Sequence, residues 1–298
     1  MDYKKDQSLI SKEVKKNKRR ALIDTITSNI TIVLVCLFIL FPIYVALITS
    51  ITSSAEANQS EFHWWPQNGV TFKAYSRMFR KNIAGNDLLQ GVVNTFWIYI
   101  PSTLIGVLVS ACAGYAFAKI KFFLSKPLFA ILIASLTLPN CVGLVALFLI
   151  FDKIGWVNSP LPLMVPRMLG TVGAVFFLRQ YYMGIPDELL DAGRIDGLNE
   201  LQLFTRIGLP VSLAAIGSQF ILLFITGYND YMGPLLYIHD ARFYTIQISL
   251  AYYRDAYVQD WPLLMAGSII SMMPLIILYL ASQKFVLKGV QITSGLKG

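Results

Sequence analysis

Six stretches of this chain are too long and too apolar to belong to the surface of a water-soluble domain: about 30–50, 91–118, 127–151, 161–180, 209–227 and 262–283. A helix that crosses the hydrocarbon of a bilayer needs roughly 20 predominantly apolar residues, and each stretch is near or above that length. At that depth backbone N–H and C=O groups find no water, so a spanning segment must satisfy them within itself, as a helix does. The rest of the sequence agrees. Of 298 residues 55% are hydrophobic and only 14% charged, against about 25% charged in ordinary soluble domains. The expected fold class is an all-α integral membrane protein with six transmembrane helices. A basic tail over 1–29 precedes the 30–283 membrane domain, and a short tail over 284–298 follows it.

A basic stretch, Lys12 to Arg20, stands before the first run and "SSAEA" stands after it, in the manner of a leader peptide and its cleavage site. The apolar run exceeds the roughly 7–15 residues of such a leader, so a retained helix is expected. Orientation follows from Lys and Arg in alternate connections. The N-terminus, 119–126, 179–208 and the C-terminus hold 17 of them, and 51–90, 152–167 and 228–261 hold 8. Both termini and the 181–208 segment are therefore expected in the cytoplasm, with the protein multi-pass in the plasma membrane. The net charge of +8 reflects this topology and anionic lipid headgroups; no basic-aromatic pattern calls for nucleic acid.

Cys36, Cys112 and Cys141 all fall in apolar runs without paired spacing, which is the pattern of buried free thiols. The two histidines, His63 and His239, have no cysteine or helically spaced carboxylate beside them, so no metal site is expected. Prolines at 42, 101, 139, 166, 210 and 274 lie in or at the edges of the spans and bend them. Gly106, Ser110, Ala113 and Gly114 give the second span a close-packing face. Arg167, near the outer end of the fourth span, is placed to snorkel toward the interface.

One polar segment breaks the apolar pattern. Between Asp187 and Arg206 fall five acids and two arginines, and the stretch closes on Ile207-Gly208-Leu209-Pro210. Pro186, Asp187 and Glu188 suit a first helical turn, since proline costs nothing there and acids favour the positive end of the helix dipole. Leu189, Leu190, Ala192 and Ile195 share an apolar stripe, with Asp191, Arg194 and Asp196 opposite. Gly197 ends that helix, and Asn199 with Gln202 forms a capping box for a second one. The product is two short helices joined by a tight turn. A lone interfacial helix on lipid would share the stripe, but such helices are usually rich in lysine and this one is acidic. It is built to dock into a groove on a protein.

The spacing matches E-A-A-x3-G-x9-I-x-L-P, the coupling-loop motif of ABC importer permeases. Ala192, Gly197, Ile207, Leu209 and Pro210 stand at the required positions, Asp191 replaces the motif's Glu, and Gly193 replaces its second Ala. The Asp keeps the charge at shorter reach, and the Gly costs about 0.8–1.0 kcal/mol of helix propensity relative to Ala. With "GYAFAKIKF", "FFLRQYYMGIPDELLDAGRIDG", "YNDYMGPLLYI" and "TSGLKG", residues from about 28 to 298 resemble the maltose-transporter-like, carbohydrate-uptake ABC importer permeases of type I fold, specifically the six-span partner of a heterodimeric pair.

That resemblance implies a complex of this chain with a second homologous permease, two ATPase subunits and an extracellular solute-binding protein. It implies that Glu188, Leu190, Asp191, Ala192, Gly193, Gly197 and Leu198 meet the ATPase. The sequence contains no G-x-x-x-x-G-K-[ST] phosphate loop, so ATP and Mg would be held by the partner ATPase; this chain needs no cofactor and is no enzyme. Aromatic faces stack on sugar rings, and the outer connection 228–261 offers Tyr228, Asn229, Asp230, Tyr231, Tyr237, Tyr244, Tyr252, Tyr253, Tyr257 and Trp261, with His63, Trp64 and Trp65 in the first outer loop. Tyr228, Asn229, Asp230, Tyr231 and Trp261 are the candidates for contact with a carbohydrate substrate or the binding protein. Aromatic belts at the membrane interface have the same composition. The competing functions are an ABC importer for another solute, such as a peptide or polyamine, and an ion-coupled secondary transporter. The latter wants inverted repeats and acids within the spans, and no acid occupies the middle of any span here.

Overall fold

The computed structural model describes residues 3–59, 63–79, 87–256 and 260–295, and no strand occurs among them. Helix α1 (Tyr3–Ser50) continues without a break from the basic tail through the first apolar run. Short helices α2 (Ser54–Ala57) and α3 (Lys73–Met78) occupy the following connection. Helix α4 (Leu88–Lys119) starts at Asp87, whose side chain accepts from the Leu89 amide, and contains Pro101. At 1.5 Å per residue it is about 48 Å long, enough to reach from one face of a membrane to the other.

Among the described residues, four helical segments have the length and apolarity of a membrane span: Leu22–Ser50, Leu88–Lys119, Leu161–Met183 and Trp261–Gln283. A fifth is a bent pair, Glu200–Val211 with Leu213–Tyr228, meeting at 74°. The expected third span, 127–151, is not one helix. It divides into α5 (Ser125–Ser135) and α6 (Leu144–Lys153), joined through a 3₁₀ turn at Asn140–Gly143. Pro139 has no N–H to continue a helix and pushes Leu138 away from helical geometry. The Ser135 and Thr137 hydroxyls meanwhile donate to the Leu132 and Ala134 carbonyls, serving the end of α5.

Helices α7 (Leu161–Met168) and α8 (Val172–Met183) form the Leu161–Met183 span and pack along α4. The small-residue face is used as expected: a Cβ on Gly106 would lie 2.2 Å from the Arg167 carbonyl oxygen. The chain then forms α9 (Asp187–Ile195), α10 (Glu200–Leu203), a π-turn at Phe204–Gly208, α11 (Leu209–Val211) and α12 (Leu213–Tyr228). Beyond lie α13 (Met232–Tyr237), α14 (Ile246–Ala256) and α15 (Trp261–Gly295). Two clusters of buried side chains sit at opposite ends of α4. One gathers Ile98, Tyr99, Phe224, Tyr228 and Leu263; the other gathers Tyr115, Leu178, Tyr182, Leu190, Leu203 and Phe204.

Two expectations about single side chains are corrected. Cys36 and Cys112 are exposed on outward helix faces rather than buried, because the surfaces of α1 and α4 that would meet lipid are themselves apolar. Arg167 does not reach outward. Its guanidinium lies 4.8 Å from the centroid of the buried Tyr99 ring, and Nη1 donates to the Leu223 carbonyl at 3.2 Å.

Candidate functional site

The 187–211 segment folds as two helices across a glycine turn. Pro186 stands at the N-cap of α9, one place before its first turn, with Asp187 and Glu188 at the positive helix end. Gly197 has φ +82°, and open space surrounds the point where a Cβ would be. It supplies the left-handed conformation of a C-terminal cap, in which the Leu198 amide donates to the Gly193 carbonyl and the Gly197 amide to the Arg194 carbonyl. Asn199 and Gln202 then form the reciprocal capping box that opens α10.

The faces of the two helices divide differently from the sequence pattern. Leu190 is 1% exposed and packs with Leu203 in the chain's own interior. Each such leucine contributes roughly 1.5–3 kcal/mol by leaving water. Gly193 is buried, and a Cβ there would sit 2.6 Å from Leu203 Cδ2 and 2.9 Å from Ile207 Cδ1. The absence of a methyl lets the two helices close on each other, which offsets the propensity lost by replacing Ala. Glu188, Leu189, Ala192 and Ile195 face outward, Ile195 at 87% exposure, and Leu198 is half-buried against the inner cluster.

The charges are organised within the turn. Arg194 donates to Asp191 Oδ1 at 2.7 Å and to Glu200 Oε1 at 3.1 Å, which raises the guanidinium pKa. Asp187 accepts from Lys119 Nζ at 2.6 Å, and this hydrogen bond holds its carboxyl below the usual value. Lys119 was invisible as a site residue from sequence, since a lysine at the end of a span reads as an interface anchor.

The segment ends in a supported kink. Pro210 cannot donate to the Arg206 carbonyl, and the backbone passes through a π-turn before bending at Ser212. The Ser212 hydroxyl donates to the Gly208 carbonyl at 2.7 Å and pairs with Tyr182 Oη at 2.8 Å. Tyr181 Oη donates to the Val211 carbonyl at 2.9 Å. Tyr115 packs edge-on to Tyr182 at 5.4 Å and against Phe204 at 5.3 Å.

A second site lies at the opposite end of α4. Tyr231 and Trp261 line one cavity of about 650 Å³ together with Gln247, Arg254 and Ser268. The other sequence candidates do not line it, though Gln247 Nε2 donates to the Tyr228 carbonyl at 3.3 Å and to Asn229 Oδ1 at 3.5 Å. Tyr228 is buried and donates to the Ser271 carbonyl at 2.9 Å, while Asn229 is exposed and donates to the Ile225 carbonyl at 3.0 Å. Asp230 accepts from Tyr99 Oη at 3.1 Å and from the Gly233 amide at 3.0 Å. Tyr244 and Tyr252 stack on each other at 4.9 Å, and Trp64 and Trp65 are exposed. Tyr257 lies outside the described residues. Among the described residues no cluster of His, Cys, Asp or Glu could hold a metal.

The chain is 31% identical over 205 residues to an arabinooligosaccharides transport system permease protein of Halalkalibacterium halodurans, covering 69% of this chain and 73% of that one. It is 34% identical over 200 residues to a trehalose/maltose transport system permease protein of Thermococcus litoralis, covering 66% and 71%. Its fold is shared with a chain of a bacterial ABC transporter involved in import of the acidic polysaccharide alginate, at TM-score 0.75 over 88% of this chain and 96% of that one, with 19% identity. Residues 106–292, which include the helix–turn–helix and its kink, match the family of inner membrane components of binding-protein-dependent transport systems, and the chain belongs to it.

Proposed function

We propose that this chain is the permease subunit of an ATP-driven importer that takes up a carbohydrate, with an oligosaccharide as the expected substrate. Family membership implies a partner ATPase and a substrate-binding protein. A second homologous permease and two ATPase copies complete the proposed assembly, because one chain supplies half of a pathway and no nucleotide site. The relatives' names support the substrate class, being arabinooligosaccharide and trehalose/maltose permeases.

The observation that carries this reading is the 187–211 helix–turn–helix. It is held from behind by its own buried residues, while an acidic and apolar surface of Glu188, Leu189, Ala192, Ile195 and Leu201 faces outward. In this reading it docks in a groove of the cytoplasmic ATPase, which places both termini inside, in keeping with the distribution of Lys and Arg. The outward apolar contact falls to Leu189, Ile195 and Leu201, and Leu190 acts by seating α9. The Tyr231–Trp261 cavity lies on the opposite, outer side and serves the sugar pathway, with ring faces for stacking and Gln247 and Ser268 for hydroxyls.

The test is reconstitution of the four-component complex in proteoliposomes, with ATP hydrolysis measured while the binding protein is offered arabino- or malto-oligosaccharides, peptides or polyamines. Stimulation and uptake with an oligosaccharide are expected. Stimulation by a peptide or polyamine alone, or sugar uptake by this chain without ATP, would overturn the proposal.

A further inference from the structure

A push on α9 reaches the membrane helices through the chain itself, through Tyr181 and Tyr182 of α8, and through a set of contacts to the last two turns of α4. Lys119, its final residue, has a side chain only 7% exposed. Nζ donates at 2.6 Å to the Ile185 carbonyl and at 2.6 Å to Oδ1 of Asp187, the first residue of α9. An ammonium this enclosed needs partners, and both come from the strand of chain that leads into the docking helix. An ion pair to a carboxylate as open as Asp187 adds little alone; with the carbonyl it fixes the position of the segment. Four residues earlier, on the same face of α4, Tyr115 holds the far end. A Cβ on Gly208 would lie 3.1 Å from its ring, and Phe204 packs beside it. One face of α4 thus grips both the start and the end of the helix–turn–helix.

The opposite end of α4 is tied just as closely to the outer connection. Asn94 Nδ2 donates to the Arg242 and Tyr244 carbonyls at 2.8 and 2.9 Å, and the Ile246 amide donates to Thr95 Oγ1 at 2.9 Å. We propose that Lys119 is a positioning residue that latches α9 to α4, so that the helix–turn–helix and α4 move as one body and a displacement of residues 187–211 is delivered along α4 to the outer 228–261 region. The inference rests on the reading of 187–211 as the ATPase-docking element.

The test uses the assembled complex in lipid nanodiscs, with spin labels on native Cys112 in α4 and on Glu188→Cys in α9, and with Cys36 and Cys141 replaced by Ser. ATP with orthovanadate is the probe. With Lys119 present, the inter-label distance distribution should stay narrow and unchanged between the nucleotide-free and trapped states. Lys119→Met should broaden it and shift it on trapping, and Lys119→Arg should restore it. A merely structural lysine would alter the amount of complex and leave this state-dependence alone. If Lys119→Met does not assemble, Asp187→Ala removes the side-chain acceptor while the Ile185 carbonyl remains, and should also broaden the distribution. A distribution identical to the parent's in both states, in whichever variant assembles, overturns the latch. Access of the label at 188 to a water-soluble nickel reagent separates the two readings. No loss of access on adding the ATPase sinks the docking element itself, whereas a protected label with unchanged distances sinks the latch alone.

Discussion

Gly197 shows how a single backbone conformation sets the angle between α9 and α10 on which the proposed docking rests. Its φ of +82° is set by the turn and no neighbour approaches where a Cβ would be, so a substitution there meets backbone strain and no clash. Gly197→Val should therefore cost about 1–2 kcal/mol of local strain, too little to unfold helices held by the bilayer and enough to change the angle between α9 and α10. The complex should be present in membranes in near-normal amounts by immunoblot, with oligosaccharide uptake lost and ATP hydrolysis indifferent to the loaded binding protein. Uptake at the unmodified rate would refute that role. Gly197, Asn199 and Gln202 could be placed from sequence because each does a local job that the neighbouring residues define. Gly193 could not, since its reason is a close approach to Leu203 and Ile207 across the turn. The orientation of Arg167 escaped for the same reason: the Tyr99 ring that receives it is 68 positions away.

At the scale of the helix, the direction in which α9 turns its apolar face decides what each leucine does. The 3.6-residue period marks a stripe without saying which edge of it is covered, and the structure divides it into a buried Leu190 and an outward Leu189 and Ile195. Leu190→Ala should cost about 2–5 kcal/mol through the lost apolar contact and the cavity left behind. A lower thermal midpoint of the detergent-solubilised complex, together with less of it in the membrane, is the expected result. An unchanged midpoint with weakened ATPase binding would put Leu190 at the interface instead. Helix ends were harder to read than helix existence. The 127–151 run has ample apolar length, but Pro139 and the capping hydroxyls of Ser135 and Thr137 divide it. Leu209-Pro210 lies within a bent pair, Glu200–Val211 with Leu213–Tyr228, whose 74° bend is supported by Tyr181 and Tyr182 from α8. Neither tyrosine is recognisable as a support until α8 and α11 are brought together.

Across the whole molecule, α4 joins two ends with different chemistry. A largely apolar cavity with Tyr231 and Trp261 in its wall lies at one end, and at the other an acidic, hinged surface is held by Lys119 and Tyr115. The all-α class, most of the spans and the motif of the docking segment followed from apolar length and residue spacing. The cavity did not, because Tyr231, Gln247, Arg254, Trp261 and Ser268 come from α12–α15 connections and faces that no periodicity brings together. Residues 187–211 are proposed to meet an ATPase, and Ile195, apolar and 87% exposed at the end of α9, is the most direct place to ask. A photoreactive residue in place of Ile195, activated in intact cells, should yield an adduct between this chain and a cytoplasmic ATP-hydrolysing subunit. An adduct with lipid alone, or with a protein outside the cell, would contradict it.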